Sequence, residues 1–136
     1  MIYLDTHVVV WLYAADLALF PPAAKEALES NALAVSPAVL LELQYLREIK
    51  RITQEPLHMV HTLAGSIGLE VCQRPFYDAV AGAIEQGWTR DPFDRIIVGT
   101  AAYANTPLLT KDATILRHYP AAFWNKPPHR ATREAL

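Results

Sequence analysis

Cysteine is nearly absent from this chain of 136 residues, which contains only Cys72. A single thiol cannot form an internal disulfide, and it excludes a zinc site built from several thiolates. A chain without such cross-links suits a reducing compartment, so the sequence predicts a cytoplasmic protein. With 52% hydrophobic and 19% charged residues, the chain has enough apolar side chains to form a core unaided.

Long hydrophobic runs are also missing. A membrane span needs about 18 uninterrupted apolar residues, and Asp5, Thr6 and His7 interrupt the apolar N-terminal segment long before that length. We therefore expect this segment to be neither a membrane anchor nor a signal peptide.

Neither sign of charge dominates the composition. Twelve Lys and Arg residues stand against 14 Asp and Glu residues, for a formal net charge of −2. This total gives no global attraction to nucleic acid. If several carboxylates were gathered in one site, however, the remaining surface would carry more basic than acidic groups.

Short apolar runs alternate with helical patterns, which is typical of parallel strands joined by helical crossovers. The runs that predict strands are 2–4, 32–35, 69–72, 108–110 and 122–124. The segments that predict helices are the residues from 8 onward, 23–30, 38–50, 56–67, 75–86, 92–104 and a short stretch after Asp112. Helices on both faces of such a sheet make a three-layer α/β domain.

The expected domain covers residues 1–125, and residues 126–136 form a polar C-terminal tail. Local signals support some of the helix limits inside the domain. Ser36 precedes Pro37, an N-cap followed by a proline at the first helical position. Gly68 directly follows the predicted helix 56–67, where glycine commonly ends a helix.

Four acidic residues stand out by their positions. Asp5 and Asp112 lie just past predicted strands, at the edge where open α/β sheets place their ligand sites. Asp94 lies in the first turn of a predicted helix, and Glu42 has apolar neighbours on both sides in the sequence.

Each acidic residue also has a purely structural interpretation. Asp5, Asp91 and Asp112 precede predicted helices, where a carboxylate can accept backbone N–H bonds as an N-cap. Asp94 falls where a negative charge suits the helix dipole. Glu42 could face solvent or form a surface ion pair with a basic residue of its own helix.

Taken together, these residues point to metal chemistry. If strands one and four are adjacent where the chain order reverses, Asp5 and Asp112 reach the same crevice. Several carboxylates in one crevice raise one another's pKa, and a divalent cation resolves that conflict. Oxygen ligands favour Mg²⁺ or Mn²⁺, which can activate water for phosphodiester hydrolysis.

Four motifs follow one another along the chain: Asp5-Thr6-His7 followed by Trp11, then Leu41-Glu42-Leu43, then Arg90-Asp91-Pro92-Phe93-Asp94-Arg95-Ile96-Ile97-Val98, then Thr110-Lys111-Asp112. In this order they resemble PIN domains, and more narrowly the VapC-type toxins of type II toxin–antitoxin pairs. The third motif is the most specific, and the resemblance spans essentially residues 1–125.

The resemblance implies a PIN fold with a parallel sheet of four to five strands in the order 3-2-1-4-5. It also implies an endoribonuclease that depends on Mg²⁺ or Mn²⁺. Matched position by position, the residues that would bind the metal and carry catalysis are Asp5, Glu42, Asp94 and Asp112. Thr6 and Thr110 match hydroxyl residues that accompany the acids, and Asp91 is an auxiliary residue or a cap.

The same resemblance implies partners. They are an RNA substrate, a second copy of the chain in a homodimer, and an antitoxin whose C-terminal segment covers the active site. The antitoxin would carry the DNA-binding portion, so this chain would meet DNA only indirectly. Arg95 and Lys111 adjoin the proposed ligands and are the candidates for contacts with RNA phosphates.

Other residues that could carry chemistry have more ordinary interpretations. His7 could hydrogen-bond a water or a phosphate, but a first-turn histidine more often packs or caps. His58 and His61 lack the partners of a zinc site and are predicted at the surface. Cys72 is predicted to be a small buried hydrophobe, and the three tryptophans are expected to pack in the core or at a dimer interface.

Two other functions fit parts of this pattern. A PIN-like domain could bind a protein or an RNA without cutting it, and a cleavage assay with Mn²⁺ or EDTA would separate that function from a nuclease. A phosphohydrolase could use Asp5 as its nucleophile. The D-x-D form of that chemistry needs a second aspartate at position 7, where this chain has His7.

Overall fold

A computed structural model describes residues 1–128 of the chain. Its strands are β1 (Ile2–Leu4), β2 (Leu33–Val35), β3 (Glu70–Val71), β4 (Leu108–Leu109) and β5 (Ala122–Phe123). Its helices are α1 (Thr6–Tyr13), α2 (Pro22–Ser30), α3 (Pro37–Glu48), α4 (Pro56–Ile67), α5 (Phe76–Ile84), α6 (Pro92–Tyr103) and α7 (Ala113–His118), with a 3₁₀ turn at Leu17–Leu19.

The strands form one parallel sheet in the order β3-β2-β1-β4-β5, which confirms the predicted order and fold class. Tyr3 of β1 pairs with Ala34 on one side and with Leu108 on the other. The residues of β1, β2 and β4 are all buried, as expected of a parallel sheet that helices cover on both faces.

The chain order reverses between β1 and β4, and this reversal positions the candidate site. Strands β2 and β3 lie on one side of β1, and β4 and β5, which come later in the chain, lie on the other side. The Asp5 N–H donates to the Leu109 carbonyl at 3.1 Å, so the carboxyl ends of the two strands lie level. Ligand sites of open α/β sheets lie at such a reversal.

The predicted start and stop signals are confirmed. The Ser36 hydroxyl accepts the Ala38 N–H at 3.2 Å, with Pro37 at the first position of α3. Gly68 ends α4 with φ of 73°, a left-handed conformation that glycine adopts without a steric penalty.

Several element limits differ from the predicted ones. Helix α3 ends at Glu48 rather than near residue 50. Lys50 has a φ of 64°, a left-handed conformation that is incompatible with a right-handed helix. Helix α5 ends at Ile84 rather than Gln86, whose side-chain amide turns back to the Gly82 carbonyl at 3.3 Å. Strands β3, β4 and β5 are each two residues long, shorter than the apolar runs that predicted them.

The 3₁₀ turn at Leu17–Leu19 has no counterpart among the predicted elements. Of the predicted tail over residues 126–136, residues 126–128 form no helix or strand and the remaining ones lie outside the described residues. No helix within residues 1–128 is long and apolar enough to cross a membrane.

Helix α5 packs on α6 through two glycines. A Cβ atom added to Gly82 would lie 2.1 Å from the Gly99 carbonyl oxygen, so no side chain fits between the two backbones. The face of α5 toward the core carries small residues, with Ala79, Gly82 and Ala83 buried. Its bulky apolar residues point outward, and the most exposed of them are Phe76, Tyr77 and Ile84.

Candidate active site

Asp5 is held tightly at the carboxyl end of β1, where only 4% of the residue is exposed. Its Oδ1 accepts the Thr6 N–H at 2.8 Å, and its Oδ2 accepts the Thr110 hydroxyl at 2.7 Å. Both oxygens of this buried carboxylate are therefore oriented by donors from two different elements. Each oxygen keeps a further lone pair, so a carboxylate fixed in this way can still hold a ligand in a defined direction.

Thr110 links Asp5 to Asp112. Its hydroxyl oxygen accepts the Asp112 N–H at 3.0 Å while its hydrogen goes to Asp5. Asp112 is the N-cap of α7, where its Oδ1 accepts the N–H groups of Thr114 and Ile115. Its Oδ2 has no donor among the described residues, so this oxygen is available to a ligand.

Glu42 reaches the same place from α3. It is half-buried, and the Thr6 hydroxyl donates a hydrogen bond to its Oε1. Within residues 1–128 no basic side chain lies within 4 Å of its carboxylate, so the surface ion pair considered from the sequence is wrong. Thr6 thus contacts two candidate acids, Asp5 through its N–H and Glu42 through its hydroxyl.

Asp91 and Asp94 occupy the start of α6. The Asp91 Oδ1 accepts the N–H groups of Phe93 at 2.8 Å and Asp94 at 3.2 Å, which confirms its interpretation as a cap. Asp91 is exposed, whereas Asp94 is half-buried. Asp5 and Asp112 also cap helices, so capping does not compete with a further role for these residues.

The carboxylates act on one another's ionisation. Burial and then the negative charges of neighbouring carboxylates raise the pKa of Asp94 from 3.8 to about 7. Those neighbours are Asp91, Asp5, Asp112 and Glu42. Burial also raises the pKa of Glu42, the Thr6 hydrogen bond opposes that shift, and nearby carboxylates add to it. The fold therefore brings acids from four separate parts of the chain near enough to influence one another's ionisation.

His7 lies between β1 and the turn after β4. Its Nε2 accepts the Lys111 N–H at 2.9 Å, and its Nδ1 lies 3.6 Å from the Asp5 Oδ2. Because Nε2 is an acceptor, the neutral ring carries its proton on Nδ1, facing Asp5. Burial lowers the pKa of His7, against the opposing effect of Asp5 and Asp112, which favours this neutral form.

The two proposed phosphate contacts differ in their surroundings. Arg95 donates from Nε to the Ala83 carbonyl at 3.2 Å and from a terminal nitrogen to the Ile84 carbonyl at 3.4 Å, which caps the end of α5. Lys111 is exposed, and its Nζ lies 5.7 Å from the centroid of the Trp11 ring. Lys111 is therefore the freer of the two to meet a substrate.

The donor set fits a hard divalent cation by its chemistry. The candidate ligands are all carboxylate oxygens, and a cation would offset the mutual repulsion that raises the pKa of Asp94. Within residues 1–128, however, no three His, Cys, Asp or Glu side chains already stand close enough to hold one ion together. The carboxylates would have to close in on a shared ion.

Other residues considered from the sequence fall outside this crevice or serve packing. His58 and His61 are exposed, as predicted. Trp124 is buried, and Trp11 packs against its ring with centroids 5.9 Å apart. Cys72 is half-buried rather than buried, because it lies just past the short β3, and it accepts a hydrogen bond from the Tyr3 hydroxyl at 3.2 Å.

One aromatic pair beside the acids has no counterpart among the sequence predictions. Tyr45 of α3 and Phe93 of α6 lie with ring centroids 6.1 Å apart. Tyr45 follows Glu42 by three residues, which puts the two on one helix face, and Phe93 directly precedes Asp94. That spacing is the signal that could have associated the pair with the site.

Comparisons with known proteins agree with this fold. A family model described as the PIN domain matches residues 2–120. The chain is 32% identical over 120 residues to Ribonuclease VapC22 of Mycobacterium tuberculosis, covering 86% of this chain and 91% of that protein.

Two solved structures share the fold at lower sequence identity. One is VapBC2 from Rickettsia felis bound to a DNA fragment from the promoter, with a TM-score of 0.54, 21% identity, and coverage of 86% of this chain and 92% of that one. The other is a toxin–antitoxin complex from Klebsiella pneumoniae, with a TM-score of 0.59, 17% identity, and coverage of 93% and 99%.

Proposed function

The chain belongs to the PIN-domain family, and from this premise we propose that it is an endoribonuclease dependent on Mg²⁺ or Mn²⁺. We further propose that it is the toxin of a type II toxin–antitoxin pair and acts in the cytoplasm, where its RNA substrate lies. The relative named Ribonuclease VapC22 supports the activity, because the chain matches it over most of both lengths.

One observation carries the proposal of metal dependence. Burial, and after it the charges of carboxylates from the end of β1, from α3, from the start of α6 and from the turn before α7, raise the pKa of Asp94 to about 7. A fold that only needed helix caps would not bring half-buried acids together from four elements. Such a gathering is typical of a cation site.

Each residue of the proposed site would have its own role in metal or RNA binding. Asp5, Glu42, Asp94 and Asp112 would hold the cation, which when bound supplies activation of water and stabilisation of charge at a phosphodiester. Thr6 and Thr110 orient the first acid and its neighbours through their hydroxyls. Asp91 serves as an auxiliary residue that caps α6. Lys111, and less directly Arg95, would neutralise RNA phosphates.

The antitoxin is the proposed protein partner. Among the solved structures of similar fold, one is described as a toxin–antitoxin complex, and another is VapBC2 bound to a DNA fragment from the promoter. By analogy, an antitoxin segment would cover the acidic crevice, and any contact of this protein with DNA would pass through the antitoxin. Asp112 and Glu42 are only half-buried, so such a segment could reach their carboxylates.

A homodimer is proposed through the outer face of α5. Phe76 is 61% exposed, Tyr77 is 81% exposed and Ile84 is 67% exposed, whereas the small residues of the helix face inward. This arrangement is the reverse of an ordinary surface helix, which exposes polar residues. A two-fold contact would pair this apolar face with itself and remove it from water.

A cleavage assay tests the activity. The purified chain, incubated with a pool of structured RNAs, should cut them with Mn²⁺ and should stop when EDTA is added. Cleavage that continues unchanged in EDTA would overturn the metal dependence. Tight RNA binding without cleavage under any metal condition would instead favour the non-catalytic alternative.

A further inference from the structure

The backbone of Lys111 lies beside the candidate acids, but its ammonium pairs with none of them. Lys111 immediately precedes Asp112, and its N–H donates to His7, whose Nδ1 lies 3.6 Å from the Asp5 Oδ2. Yet within residues 1–128 no carboxylate oxygen lies within 4 Å of its ammonium group. A lysine side chain is long and flexible enough to reach carboxylates so near its own backbone, so the position of this ammonium points to another partner.

The alternative partner is Trp11. The Lys111 Nζ lies 5.7 Å from the centroid of its ring, within the range of a cation–π interaction. The ring cannot turn away freely, because it packs against Phe20 at 6.0 Å and Trp124 at 5.9 Å between centroids. Tryptophan is also the strongest of the aromatic residues in this interaction.

The backbone of Lys111 is fixed from the same helix. His7 accepts the Lys111 N–H at 2.9 Å, and the His7 ring lies 4.9 Å from the Trp11 ring between centroids. Helix α1 therefore holds the residue at two points, its amide through His7 and its ammonium through Trp11. Both contacts come from one helix that also begins directly after Asp5.

We propose that Trp11 is a positioning residue that keeps the Lys111 ammonium off the acidic cluster and ready for a substrate phosphate, with His7 fixing the backbone. The proposal rests on the function proposed above. An ammonium that paired with the carboxylates would compete with a divalent cation for the same oxygens, and it would no longer be available to bind a phosphate. Trp11 prevents both effects.

A double-mutant cycle tests this role by binding rather than by activity. Isothermal titration with Mn²⁺ alone, and anisotropy of a fluorescent single-stranded RNA in Ca²⁺, are measured for wild type, Trp11→Leu, Lys111→Met and the double variant. Trp11→Leu should weaken both Mn²⁺ and RNA binding by about two- to fivefold. It should also make the slope of log K for RNA binding against log salt concentration less negative by about 0.7, which is the contribution of one phosphate contact on a single strand.

The cycle separates positioning from packing. In the Lys111→Met background, Trp11→Leu should leave Mn²⁺ affinity unchanged, because no ammonium remains to compete for the carboxylates. Equal effects of Trp11→Leu in both backgrounds, or no effect in wild type, would overturn the proposal. Trp11→Phe keeps a ring in the cluster and should fall between wild type and Trp11→Leu, which guards against loss of folding. Lys25→Met removes an exposed charge on α2 and serves as the matched control.

The same measurements distinguish this inference from the proposed function. If wild type binds neither Mn²⁺ nor the RNA, the nuclease proposal fails and the positioning role fails with it. If wild type binds both and Trp11→Leu binds them equally well, only the role of Trp11 is overturned.

Discussion

Thr110 and Asp5 are 105 positions apart in the chain, yet the Thr110 hydroxyl donates a 2.7 Å hydrogen bond to the Asp5 carboxylate. Adjacent parallel strands bring the two residues together, and Thr110 is fully buried at the contact. The same hydroxyl accepts the Asp112 N–H, so one oxygen atom sets the positions of two candidate ligands.

Replacing Thr110 with valine should weaken both the fold and the site. The substitution removes the hydroxyl but keeps the shape, so it leaves a buried carboxylate oxygen and a backbone N–H without partners. The free energy of unfolding should fall by about 1–3 kcal/mol, and RNA cleavage should fall about 10- to 100-fold. Thr110→Ser keeps the hydroxyl and should restore most of the cleavage. Denaturant unfolding and a cleavage time course measure the two effects.

Replacing Asp5 with asparagine should abolish cleavage and retain the fold. An amide can still accept the Thr6 N–H through its oxygen and turn its NH2 toward the Thr110 hydroxyl oxygen as a donor, but it lacks the charge that a divalent cation needs. Cleavage should fall at least about 100-fold, since a bound cation supplies several kcal/mol of charge stabilisation. Asp16→Asn, in an exposed loop, is the control. An Asp5→Asn variant that cuts RNA as fast as wild type would show that the assigned roles are wrong.

The raised pKa of Asp94 predicts that the stability of the metal-free protein depends on pH. Its pKa rises from 3.8 to about 7 on folding, so between these values the metal-free folded state holds a proton that the unfolded chain has released. The stabilising contribution of this group is therefore complete below about pH 3.8, decreases as the pH rises from there, and is fully lost above about pH 7. Asp94→Asn cannot ionise and avoids that loss.

Thermal melts in EDTA on either side of about pH 7 test this dependence. Above that pH the Asp94→Asn variant should melt at a higher temperature than wild type, and the difference should shrink as the pH falls. Mn²⁺ should raise the melting temperature of wild type more than that of the variant, because only wild type keeps the full set of charges. A difference that is constant with pH would contradict the raised pKa.

The contact between α5 and α6 should not tolerate a side chain. A Cβ on Gly82 would lie 2.1 Å from the Gly99 carbonyl oxygen, which is backbone and cannot rotate away. Gly82→Ala should therefore destabilise the chain by about 1–3 kcal/mol or more. Gly65→Ala, in α4 with nothing within 4 Å of the new atom, should be neutral or stabilising. Equal melting temperatures for the two variants would rule out the close contact.

The outer face of α5 should control the oligomeric state. Placing a charge in the face with Ile84→Lys should convert a dimer into a monomer, because an isologous contact brings the new charges together or buries them. Leu57→Lys changes a residue of similar exposure, 64% against 67%, on α4 and should leave the dimer intact. Light scattering after size-exclusion chromatography measures the mass. A wild type that is monomeric at high concentration would refute the dimer itself.

Local signals in the sequence were sufficient to place most of the elements. Ser36 with Pro37 and the glycine at position 68 marked helix ends that the structure confirms. The short apolar runs located every strand, although β3, β4 and β5 are shorter than their runs. Such signals involve only a few consecutive residues, so they can be interpreted without knowing which residues lie nearby in the folded protein.

The sequence by itself determined which acids lie at strand ends and helix starts, and hence that carboxylates could meet if β1 and β4 were neighbours. Only the tertiary structure decided the contacts made across that reversal. Glu42 illustrates the difference: its spacing on α3 permits solvent exposure, but packing against α1 half-buries it and gives it the Thr6 hydroxyl. The hold of α1 on Lys111 has the same origin. Hydrogen bonds and charge effects depend on distance in space, and residues far apart in the chain reach those distances only through the fold.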